Sequence, residues 1–127
     1  MIPRIGFQHD PTGSKVIIQA AFANVDASTT DAALIAAVAG KRIVVLSIFA
    51  HAQGTVETNV TLNSKPASVT AGSAITSTKQ IGPNSGWVQN RGTPVDYLFS
   101  TKNGEGLSVT TGAGSAVGID VTYVLLD

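Results

Sequence analysis

The chain has 127 residues, 43% of them hydrophobic and only 13% charged, with eight basic side chains balancing eight acidic ones. That is enough apolar material for one domain with one core, and the charge balance excludes the basic footprint of a protein that tracks phosphates on nucleic acid or coats an anionic membrane. Cysteine is absent, which rules out a disulfide framework, a thiolate metal site and a cysteine nucleophile.

From the N-terminus, "MIPRIGFQHDPTG" contains no apolar run of signal-peptide length, so the chain reads as unprocessed and soluble. Residues 1–13 read as a short extended arm and residues 14–127 as a single β domain. Ile2, Arg4, Ile5 and Phe7 are the arm's candidate contact residues, since a short apolar segment of this kind orders when laid on a neighbouring subunit. "VIIQAAF", 16–22, is the first strand of the domain.

The stretch 31–50, "DAALIAAVAGKRIVVLSIFA", has three readings. A membrane span needs about 18–20 uninterrupted apolar residues, and Lys41 with Arg42 would sit in mid-bilayer. A helix finds good formers in Ala32–Ala39 and an N-cap-like Asp31, but Gly40 ends it after about two turns, too short to be stable alone. Ile43 to Phe49 is β-branched and apolar on both faces, the signature of a central strand. The expectation is therefore strand, turn at Gly40–Lys41, strand.

"TVETNVTLN", 55–63, shows the clearest period-two pattern, with Val56, Thr58, Val60 and Leu62 on one face and a polar, wet face opposite. Weaker strand signals run through 67–70 and 75–81, and "IGPNSG", 81–86, is a loop. "GWVQN", "VDYLFST", "GLSVTTG" and "AVGIDVTYVLL" follow, separated by "RGTP", "KNGE" and "GAGS". Turn signals this regular predict an all-β fold, an antiparallel two-sheet sandwich of the jelly-roll kind.

Candidate chemistry is sparse. His9 and His51 have no partner at metal-ligand spacing, and the bland reading of His51 is a partly buried ring satisfied by backbone. Glu57 and Glu105 are the two glutamates available for an acid–base pair, and surface roles suit both better. Asp120 alternates outward in the last strand. "TTGAGSAVG" and "GKR" lack the context of a phosphate loop and read as turns, and no GxSxG occurs. Trp87 beside Tyr97, with Asn84, Gln89 and Asn90, is a candidate glycan platform, against the plainer reading of Trp87 as a core or interface anchor. These patterns predict no enzyme, no metal and no cofactor.

Four features resemble small virion proteins of tailed bacteriophages: "AAVAGKRI" leading into an apolar strand, the alternating polar strand, "GW" before a loop and a "GEGL" strand, and the closing "VTYV" strand. The resemblance spans roughly residues 28–127. It implies a β-sandwich displayed on the capsid surface of the virion, usually a homotrimer, that binds the major capsid protein as a head decoration (cement) protein. It leaves open a tail or fibre component, and a carbohydrate-binding jelly-roll module stands as the alternative from another class. Neither nucleic acid nor membrane is an expected partner.

Overall fold

The computed structural model describes residues 6–68, 71–83, 85–90 and 92–127. Its strands are β1 (Gly6–His9), β2 (Lys15–Val25), β3 (Ala32–Ile35), β4 (Arg42–Ala52), β5 (Thr58–Lys65), β6 (Ser73–Ala74), β7 (Lys79–Ile81), β8 (Gly86–Asn90), β9 (Phe99–Ser100), β10 (Gly106–Thr111) and β11 (Val117–Leu126). No helix occurs among the described residues. A larger sheet runs β1-β2-β11-β4-β8, with β9 continuing the β8 edge of β4. A smaller one runs β3-β10-β5-β6, with β7 continuing the β6 edge of β5. All pairings are antiparallel, and the two sheets pack face to face as a β-sandwich.

The ambiguous stretch 31–50 is two strands, but they do not pair with each other. β3 joins the smaller sheet and β4 the larger, so the turn before β4 carries the chain across the core. The Lys41 amide bonds the Val38 carbonyl there at 3.1 Å, and Gly40 takes a φ of 73° that a side chain disfavours. The helix does not form: Ala32, Ala33 and Ile35 pair instead with Val109, Ser108 and Leu107 of β10, with Leu34 an extra residue in the ladder.

β4 is an interior strand, between β11 and the β8–β9 edge, and one irregularity organises it. Ser47 faces Thr122 and Val45 faces Tyr123, so Leu46 is an extra residue, a β-bulge that shifts the alternation by one. Ile43, Val45, Ile48, Ala50 and Ala52 therefore all point between the sheets, while Val44 and Leu46 point outward. The inter-sheet core is completed by Leu62, Leu107, Val109 and Ile119 among others, each at most 1% exposed.

Outside the larger sheet, Val44, Leu46, Val124 and Leu126 form a second small core, flanked by Val16, Ile18 and Tyr97. The chain between β8 and β9 leaves β4 after Asn90 and rejoins it at Phe99, and Gly92 and Leu98 bond the carbonyls of Leu46 and Val45. This detour carries the fully buried Pro94. It accounts for the double-sided apolar sequence at 43–46: one face meets the other sheet, and the other meets a loop-covered patch.

Of the segment read as an arm, Gly6–His9 form β1, an edge strand paired with Lys15–Ile18. Asp10 shapes the hairpin by accepting from the amides of Thr12 and Ser14, both at 2.9 Å, an Asx-type turn. Ile2, Arg4 and Ile5 lie outside the described residues.

Leu107→Ala should lower stability by about 2–5 kcal/mol, the range for a buried leucine truncated in a well-packed core. A urea titration should show the midpoint falling with the slope unchanged. Gly114→Ala should be comparably damaging, because its Cβ would collide with the Glu57 carbonyl oxygen.

Candidate functional site

The parity slip at Leu46 decides what the outer face of the larger sheet displays. Beyond the bulge, Ser47, Phe49 and His51 point outward, and cross-strand register aligns them with β2, β11 and β8 in three rows. Asn24, Gly118, His51 and Gly86 form one; Phe22, Asp120, Phe49 and Val88 the next; Ala20, Thr122, Ser47 and Asn90 the third. The middle row is an apolar ridge in water, with Phe22 78%, Phe49 45% and Val88 62% exposed. Scattered surface hydrophobics need no explanation, but three aligned in one row make this face the candidate contact surface.

Two open troughs flank the ridge. One, of about 310 Å³, lies along Phe22, Phe49, Val88 and Asp120 toward the Ser47 row. The other, of about 160 Å³, is floored by Gly118 and walled by Phe22, Phe49 and His51. Most polar groups here are already satisfied by one another. The Ser47 and Thr122 hydroxyls share a hydrogen bond, and Gln53 Nε2 donates to Asn24 Oδ1 at 2.6 Å. The His51 ring stacks on Phe49, centroids 6.2 Å apart and planes 21° from parallel. Among the described residues Asp120 is the one carboxylate lining either trough, and no lysine or arginine lines them.

His51 is thus exposed and ring-stacked, not a backbone-satisfied ring, because the bulge turned its strand position outward. His9 sits at the end of β1 with its ring edge-on to Phe7 at 6.2 Å. Phe7 faces Ile17 across the hairpin, both more than half exposed, with Lys15 Nζ 4.7 Å from the Phe7 centroid. This makes a second, smaller apolar patch at the sheet edge.

Trp87 and Tyr97 do not form a joint platform, because they lie on opposite faces of the larger sheet. Trp87 pairs with the buried Ala50 and packs toward the inter-sheet core, 6.2 Å from Phe99, with Lys79 Nζ 5.4 Å from its ring. Its Nε1 donates to Gln89 Oε1 at 2.8 Å. Tyr97 flanks the loop-covered outer core, and the Arg42 guanidinium lies 5.4 Å from its ring. Asn84 lies outside the described residues. Glu57 and Glu105 sit near opposite ends of β5, about 20 Å of extended chain apart. Glu105 is half-buried, accepting from the buried Ser64 hydroxyl at 2.8 Å, where the sequence suggested solvent. Among the described residues no three histidine, aspartate or glutamate side chains come together as a metal site would require.

On the smaller sheet's outer face, Asp31 adopts a left-handed φ of 52°. Its carboxylate accepts from Asn63 Nδ2 at 3.0 Å, Ser108 Oγ at 2.8 Å and the Gly72 amide at 3.0 Å. Asn63, expected on a wet face, is buried beneath this network. Partial desolvation pushes the Asp31 carboxyl up, but these donors, with Lys65 nearby, outweigh it and hold it below the ordinary aspartate range. These bonds tie β3 and the Gly72 segment to the sheet, a structural role.

Compared with family models, curated proteins and solved structures, the chain matches none of them.

Asp31→Asn should cost about 1–2 kcal/mol at neutral pH through weakened charge-assisted bonds. A carboxyl with a depressed folded-state pKa stabilises fully above its unfolded value, about 3.9, and loses that contribution as pH falls through the folded value. Denaturation midpoints of wild type and variant should therefore converge below about pH 4.

Proposed function

We propose that this chain is a bacteriophage virion structural protein, a decoration (cement) protein that binds the head shell and stabilises it. The ridge of Phe22, Phe49 and Val88 carries the reading: the inter-sheet core is complete without these side chains, so their exposure serves contact with another molecule. The sequence resemblance to small tailed-phage virion proteins points the same way. The major capsid protein is the partner, copies associate as a homotrimer, and the site of action is the capsid surface.

The strand order favours the jelly-roll form of the sandwich. With β1 set aside, and β6 with β7 and β8 with β9 each taken as one interrupted strand, the larger sheet holds the first, eighth, third and sixth strands. The smaller holds the second, seventh, fourth and fifth, the order that two interleaved Greek keys produce. Such a module reinforces a shell by repeating one contact many times, and its low charge lets copies crowd without self-repulsion. The reading requires no reaction.

Purified protein added to heads lacking it should bind at saturable copy number and raise the temperature at which they rupture. Attachment to tails or fibres instead would move the protein elsewhere on the virion, and no attachment to any particle would retire the proposal. Deleting residues 1–11 should leave the β2–β11 sandwich folded, since none of the described residues among them belongs to its core, but should reduce occupancy on the shell.

A further inference from the structure

We infer that Phe22, Asp120 and Phe49 form a seat for a cationic side chain, an arginine supplied by the shell protein. In naming the shell as the source, this rests on the decoration reading. Asp120 stands directly opposite Phe22 on one side and Phe49 on the other, so its carboxylate rises between two exposed phenyl groups, each one strand spacing of about 4.8 Å away. No described group bonds or pairs with it, and neither trough beside it contains a lysine or arginine.

Charge complementarity selects the occupant. Covering this ridge with an apolar surface would bury an uncompensated carboxylate, which is strongly unfavourable. Docking a second copy face to face about a two-fold axis would bring two Asp120 carboxylates into one contact, a like-charge penalty. A neutral sugar would leave the Asp120 charge uncompensated and would compete with bonds already made between Ser47 and Thr122 and between Gln53 and Asn24. A guanidinium meets every requirement at once. It donates two parallel N–H groups to the carboxylate and lays its flat, weakly hydrated faces against the rings. The chain already places Lys15, Lys79 and Arg42 over Phe7, Trp87 and Tyr97, whereas among the described residues no lysine or arginine lies over Phe22 or Phe49, and the His51 ring stacks on Phe49.

The test is an NMR titration of the intact protein with N-acetyl-arginine amide, its neutral isostere N-acetyl-citrulline amide, and a neutral disaccharide. The arginine derivative should shift Phe22, Phe49 and Asp120 resonances saturably. Asp120→Asn and Phe49→Ala, both outward-facing and expected to stay folded by circular dichroism, should each weaken it about five- to tenfold. Equal response to citrulline, response to the disaccharide alone, or concentration-dependent shifts of these residues with a face-to-face dimer in the ultracentrifuge would each overturn the seat. Shell binding separates the two proposals. Asp120→Asn occupying heads as well as wild type removes the shell as the arginine's source while leaving the decoration reading intact. Arginine binding by a protein that ignores every shell does the reverse.

Discussion

The pairing of β4 with β11, interrupted by one extra residue at Leu46, is the constraint from which the rest of this molecule follows. Along most of their length the two strands form the centre of the larger sheet and supply much of the inter-sheet core. At Leu46 the alternation slips, because two residues on β4 oppose one on β11 and the extra one must turn out of step. Without the slip, either Ile43 and Val45 or Ile48 and Ala50 would face away from the smaller sheet. With it, both sets are buried together, and Val44 and Leu46 become the seed of a second core.

That displacement has consequences on both sides of the strand. The apolar pair it pushes outward needs cover, and the detour between β8 and β9 supplies it, anchored to the backbone at the bulge. Beyond the bulge the same parity puts Phe49 and His51 on the open face, in line with Phe22, Asp120 and Val88. One irregularity thus separates the outer face into a sealed end and an exposed, aromatic end. The second is the end that the described residues leave open.

The two polar surfaces differ in kind. Around Asp31 the carboxylate accepts three hydrogen bonds, from Asn63, Ser108 and the Gly72 amide, and these fix a segment of the fold. Around Asp120 the Ser47 and Thr122 hydroxyls bond each other and Gln53 bonds Asn24, while no described group bonds the carboxylate. Among the described residues it has no partner, and it stands beside two exposed rings.

The sequence by itself determined the all-β class, the interior place of 43–49, the alternation along β5 and β11, and the turns at Gly40 and around Gly114, because each follows from local periodicity or backbone sterics. It also set Asp120 facing outward. Tertiary structure alone decided that β3 and β4 part to different sheets, that Trp87 and Tyr97 lie back to back, that Asn63 is buried, and that Phe22 and Phe49 flank one carboxylate. Those outcomes depend on register between strands distant in the chain, and on a bulge that reverses which side chains face out. A period-two pattern states that alternate residues share a face; it does not say which strand lies alongside, or where the count slips by one.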